Sequence, residues 1–107
     1  MVQVRSYSID YAAQTKAHLR TIAPKYHALI RRKIEEQLRF EPIVETVNRK
    51  PLRQPASYDA EWEIRFGPNN RFRVLYKVSE VEHNVLILAI GEKDRNRLLV
   101  GGEEITL

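Results

Sequence analysis

The chain has 107 residues, 43% hydrophobic and 30% charged, the mix of one ordinary globular domain spanning 1–107 with no room for a second. It has no cysteine and three scattered histidines. That excludes a disulfide framework, a thiolate nucleophile and a Cys-based zinc site, and no cofactor or metal is expected. Eighteen Lys/Arg against fourteen Asp/Glu give +4, and the excess is confined to Met1–Arg53, with 11 basic and 5 acidic residues. With a pI near 9.6, such a half suits a polyanion or an acidic partner protein, although solubility alone accounts for the same charge. No stretch approaches the roughly 18–20 apolar residues of a bilayer span, and Met1 to Ser8 lacks a signal-peptide core. A cytoplasmic protein without a membrane partner is expected.

Val2 to Ser6 alternates polar and apolar residues and reads as a first strand. Ser8 or Asp10 then caps a helix with Tyr11, Thr15, His18 or Leu19, and Ile22 on one face, ending before Pro24. Pro24 opens a second helix whose stripe is Tyr26, Ile30, Ile34 and Leu38. Together they form a helical hairpin. From Glu41 to Asp59 three prolines predict a long irregular connection, which gathers Arg49, Lys50 and Arg53. Trp62 to Phe66 and Phe72 to Val78 alternate around the turn residues Gly67 to Asn70, which predicts a β-hairpin. Val85 to Ile90, apolar on both faces, reads as a central strand. Lys93 to Leu99 reads as a short helix, and Glu103 to Leu107 as a last edge strand. The fold class is α+β: an N-terminal strand and a helical hairpin packed on a small, mainly antiparallel sheet.

Alternation also places Arg65 and Arg73 on the face opposite the apolar set, converging on one solvent-facing surface where Arg71 or Lys77 joins them. Guanidinium groups held on a rigid sheet fit a phosphate, either to dock RNA or to stabilise charge growing on phosphorus. The plain alternative is that strands put charges outside anyway, with Glu63 paired to one of them. His18, His27 and His83 read as structural or solvent-facing, Trp62 as a core residue, and Tyr58 as the accessible aromatic.

The order of elements brings Trp-x-Ile-Arg at Trp62–Arg65, Arg-Phe-Arg-Val-Leu-Tyr at Arg71–Tyr76 and Ala-Ile-Gly-Glu-Lys at Ala89–Lys93 into line. In that order, after a strand, a helical hairpin and the basic loop Asn48–Leu52, these strings resemble the RelE/ParE toxin superfamily over nearly the whole chain. The resemblance implies a RelE-like fold and the toxin of a type II toxin-antitoxin system. It further implies a cognate antitoxin as partner and, in the RelE branch, metal-independent cleavage of mRNA in the ribosome. In that chemistry the 2′-hydroxyl attacks the neighbouring phosphorus, so the protein orients the strand, neutralises the phosphorane and handles two protons. By position, the resemblance assigns catalytic roles to Arg65, Arg73 and Lys93. The other basic residues Arg49, Lys50, Arg53, Arg71, Lys77 and Arg95 are expected as RNA contacts, and Glu63, should burial raise its pKa, is a candidate general base in place of the family's residues.

The sequence departs from the family at three places. Glu63 stands where many ribosome-dependent members have lysine, Leu99 where they have a C-terminal tyrosine, and Lys50 where some relatives carry a carboxylate base. Two other readings follow: a ParE-like inhibitor of DNA gyrase, and a weakly active homologue acting mainly as an antitoxin-binding partner.

Overall fold

In the computed structural model, which describes residues 5–107, the two halves of the sequence meet on a single long strand. The expected strand over Val2 to Ser6 lies outside the described residues as far as Val4, and Arg5 and Ser6 belong to no strand. The first strand, β1, is Ser8–Tyr11. The residues expected to cap a helix have another partner: Asn84 Nδ2 donates to Ser8 Oγ at 2.9 Å and to Asp10 Oδ2 at 2.8 Å. Local capping preference gives way to pairing with a distant strand, and Ile9 packs against the main core.

Helix α1, Thr15–Arg20, is accordingly only six residues long, too short to hold without tertiary contacts. Helix α2, His27–Leu38, follows a 3-10 turn begun by Pro24. Its stripe is as expected: Ile30, Ile34 and Leu38 are fully enclosed, and burying each is worth about 1.5–3 kcal/mol. Between α2 and β3, Trp62–Phe66, the chain is irregular apart from a 3-10 turn at Ser57–Asp59 and strand β2, Arg49–Pro51, which pairs antiparallel with β3 where the prolines predict loop.

Strands β4, Phe72–Ser79, and β5, Asn84–Asp94, complete the centre. The predicted helix over Lys93 to Leu99 is not formed. Strand β5 runs on to Asp94, turns at Arg95 (φ 58), and returns as β6, Arg97–Val100, then β7, Glu103–Ile105. Pairing of Gly91 with Val100 and of Lys93 with Leu98 saturates this backbone, and Leu98 and Val100 join a second apolar cluster with Leu75, Leu88 and Ala89. A free helix would bury none of that.

The sheet order is β2-β3-β4-β5-β6-β7, with β1 parallel to β5. Strands β1 and β6 share one edge of β5, over residues 84–87 and 91–94. Between them the backbone polar groups go to α1 and the residues before it. Ala12 N donates to Ile87 O at 2.8 Å, Gln14 Nε2 donates to Leu88 O at 3.0 Å, and Ile90 N donates to His18 Nδ1 at 3.3 Å. Helix α1 is thus a plug in a gap of the sheet. Among the described residues no helix is long and apolar enough to cross a membrane.

Candidate phosphate-binding face

The β3–β4 turn sets the site. Gly67 takes φ 85, and a Cβ there would lie 2.7 Å from the Phe72 ring, so only glycine lets the chain reverse this tightly. The register that follows places Arg65 directly opposite Arg73, with Ile64 opposite Val74 and Phe66 opposite Phe72. The apolar pairs face the helices. Alternation therefore sets both arginines on the other face.

Like charges directly opposite one another destabilise a sheet. Glu63, two residues before Arg65 on the same face, answers that repulsion. It receives Arg65 Nε on Oε1 at 2.9 Å, and its Oε2 lies 3.7 Å from Arg73 Nη1. The carboxylate is buried, its side chain 3% exposed against 41% for Arg65 and 12% for Arg73. A buried carboxylate needs such partners, since an uncompensated one is prohibitively costly. Both its oxygens face guanidinium groups, Oε1 that of Arg65 and Oε2 that of Arg73. That placement counts against the general-base role expected for Glu63. Arg73 is also less outward than alternation predicts. Burial is the main influence lowering its pKa, opposed by Glu63 and aided by Arg65. Loss of surrounding water strengthens its attraction for any anion that arrives.

Lys93 reaches the same side through a bulge. Leu75 pairs with Ala89 but Tyr76 with Ile87, so Leu88 is an extra residue in β5. Before it, Val85 and Ile87 face the helices; after it, Ile90 does. Gly91 then falls opposite Arg73, and Lys93, two residues on, shares that side. Gly91 must be glycine because a Cβ would sit 2.9 Å from Leu99 O. Lys93 lines an open cleft of about 600 Å³ together with Arg71, Arg95, Glu92, Asp94 and Leu99. Two basic groupings result: Arg65 with Arg73 on the sheet, and Lys93 with Arg95 at the cleft.

The remaining basic residues separate. Arg71 turns to the helix side, bound to Glu92 and lying over the Tyr26 ring at 5.0 Å. Lys50 pairs with Glu45 at 3.2 Å and Lys77 with Asp59 at 3.7 Å, and Arg53 is exposed in the loop after β2. Arg49 is a correction. It is 5% exposed, and its guanidinium donates to Val44 O at 2.9 Å, Gln37 O at 2.7 Å and Gln37 Oε1 at 3.0 Å. Opposite Ile64 in register, it points to the helix side and ties the end of α2 to the loop. It has no access to RNA.

Of the aromatic and histidine side chains, Tyr58 packs edge-on against His18 at 5.6 Å, and Trp62 stacks beside Tyr76 at 6.5 Å. His27 Nε2 donates to Ile22 O at 2.8 Å, and His83 stacks on Tyr7. The pairing of Glu63 with Arg65 is the plain alternative the sequence offered; its burial, and its reach to Arg73 as well, were not foreseen. The available signal was its spacing, two residues from Arg65, on a strand whose open face carries like charges.

No family model and no curated protein matches the chain. Among solved structures its fold is similar to that of a chain in the crystal structure of the toxin-antitoxin complex RelBE2 from Mycobacterium tuberculosis. The TM-score is 0.65 at 20% identity, over 85% of this chain and 95% of that one. The RelE-like α+β arrangement expected from the order of the strings is the fold this chain has.

Proposed function

We propose that this chain is the toxin of a type II toxin-antitoxin pair, a cytoplasmic protein that cleaves mRNA within the ribosome without a metal and is held inactive by a cognate antitoxin. The observation that carries this reading is the cross-strand pair Arg65 and Arg73, braced from below by Glu63 on a RelE-like sheet. Arg65 and Arg73 hold the scissile phosphate, and Lys93 adds a third positive charge from the neighbouring strand. When the 2′-hydroxyl oxygen bonds to phosphorus its proton passes to solvent, the bond to the 5′-oxygen breaks, that oxygen takes a proton from solvent, and a 2′,3′-cyclic phosphate is left. The equatorial oxygens carry the extra charge in between. Fixed guanidinium groups stabilise that charge more than the ground state, because they are already oriented when it appears.

Exposed Arg53 and Arg95, with the half-buried Lys77, supply longer-range attraction for the polyanion. Leu99 in the family's tyrosine place, on the wall of the cleft, and the enclosure of Glu63 favour a second reading, gyrase inhibition on the same scaffold. Expression of the chain followed by labelling of new protein and mapping of mRNA ends separates the two. Translation arrest with codon-phased cuts is the expected result. Intact mRNA with loss of supercoiling selects gyrase inhibition, and neither effect leaves antitoxin binding as the chain's main property.

A further inference from the structure

We infer that Glu63 is a positioning residue: a carboxylate beneath the surface that orients Arg65 and Arg73 so that both present their free N–H groups to one anion. The inference deepens the proposed function and rests on it.

The geometry separates this role from two others. A carboxylate that competed with RNA would lie where the phosphate must sit, at the surface and between the exposed ends of the arginines. Glu63 lies below them, its side chain 3% exposed while Arg65 is 41% exposed above it. A base, in turn, would need an open path to solvent. What Glu63 does have is the inner edge of Arg65, through Nε at 2.9 Å. The outer edge of that planar fork is left for an anion, and a guanidinium fixed by one edge presents the other in a defined plane.

Arg73 is held more loosely. Its Nη1 stands 3.7 Å from Glu63 Oε2, an oxygen with no hydrogen bond among the described residues, and its Nε is 3.5 Å from Asn70 O. That oxygen attracts Arg73 without saturating it. The arrangement also explains why a glutamate suits a position where the resemblance implies lysine. Three positive groups on adjacent positions of one face would repel, whereas the carboxylate leaves the cluster at +1 and keeps two guanidinium groups at one place.

The test uses the intact chain, Glu63→Gln, and a 2′-O-methyl RNA oligonucleotide that cannot be cleaved, titrated across a salt series. Positioning predicts that Glu63→Gln binds about tenfold more weakly, the low end of what losing an orienting partner costs at a ligand site. It also predicts a shallower dependence of log affinity on log salt, reporting a lost phosphate contact. Both changes oppose the added positive charge, so a competing carboxylate, or charge alone, predicts the reverse. A purely structural role leaves the salt slope of the folded protein unchanged. Glu63→Asp, which keeps the charge and withdraws it by one methylene, is the second variant should Glu63→Gln melt too low, and it is expected to shift the slope the same way. Affinity equal to or tighter than wild type in the folded variant overturns the inference. Failure of the wild-type chain to bind the 2′-O-methyl strand both free and as mRNA on the ribosome overturns the proposed function instead.

Discussion

Arg49 and Arg73 sit on the two strands that flank β3, and each is largely withdrawn from solvent, yet they do opposite things. Arg49 pairs across from Ile64 and faces the helices, where two carbonyls and an amide oxygen take its donors. Arg73 pairs across from Arg65 and faces away, where a carboxylate at 3.7 Å leaves most of its donors unused. The difference lies in the acceptors. Neutral oxygens in fixed positions engage both terminal nitrogens of Arg49, while its Nε has no partner among the described residues, and make it part of the framework, whereas one shared, buried carboxylate keeps two arginines in place with capacity to spare.

The sharpest way to break this contrast is at Arg73. Arg73→Ala is expected to lower mRNA cleavage by about 10²–10³-fold, the range for removing one preorganised donor from a developing charge. The sequence alone predicts that such an outward residue leaves the fold intact. At 12% exposed, with Glu63 beneath it, its loss also lowers the melting temperature, because a buried charge stripped of a partner is strongly destabilising. Arg73→Lys separates the two effects. A charge facing Glu63 restores the melting temperature, while cleavage stays depressed because an ammonium does not reproduce the planar fork. Full cleavage by the lysine variant would make charge alone sufficient.

Arg49→Ala is the converse. Three hydrogen bonds from a buried cation are lost, at a cost of about 3 kcal/mol, and at this chain length each kcal/mol shifts melting by about 4–8 °C. Per folded molecule, cleavage is expected to be unchanged. A cleavage defect in the folded variant would show that the two sides of the sheet are coupled.

The smallest effect concerns the plug formed by α1. His18 Nδ1 accepts from Ile90 N, so the ring must be neutral, and burial lowers its pKa from the ordinary 6.5. The unfolded chain takes up that proton at a higher pH than the folded one. Stability from this contact is therefore complete above about pH 6.5 and is lost as pH falls through the lower folded value. Melting measured in steps from neutral to mildly acid pH should show the decline, and His18→Gln should remove that part of it. An identical pH profile in the variant would mean that another group governs the acid limb.

The α2 stripe, the β3–β4 hairpin and the shared face of Arg65 and Arg73 were legible because each follows from a local period closed by a local turn. At a spacing of two, parity alone puts the arginines together once Gly67 fixes the register. Lys93 shows where that logic stops. Counted by twos from Val85 and Ile87 it belongs on the helix side, and the extra residue Leu88 moves it to the other. Nothing in the local pattern marks the bulge, which exists because β4 offers partners to both halves of β5.

Arg49 and Glu63 illustrate the same division. The sequence by itself determined only that one is a basic residue among prolines, read as loop although it opens strand β2, and the other an acidic residue on a charged strand face. Their burial was decided by acceptors and donors far along the chain, the end of α2 for Arg49 and strand β4 for Glu63. Likewise Ser8 and Asp10 carry the chemistry of helix caps, but Asn84, more than seventy residues away, takes their side chains. Sequence period determines which face a side chain occupies within its own element. Only the tertiary structure decides what stands opposite it, and for a charged group that neighbour determines whether the charge is spent on the fold or left for a ligand.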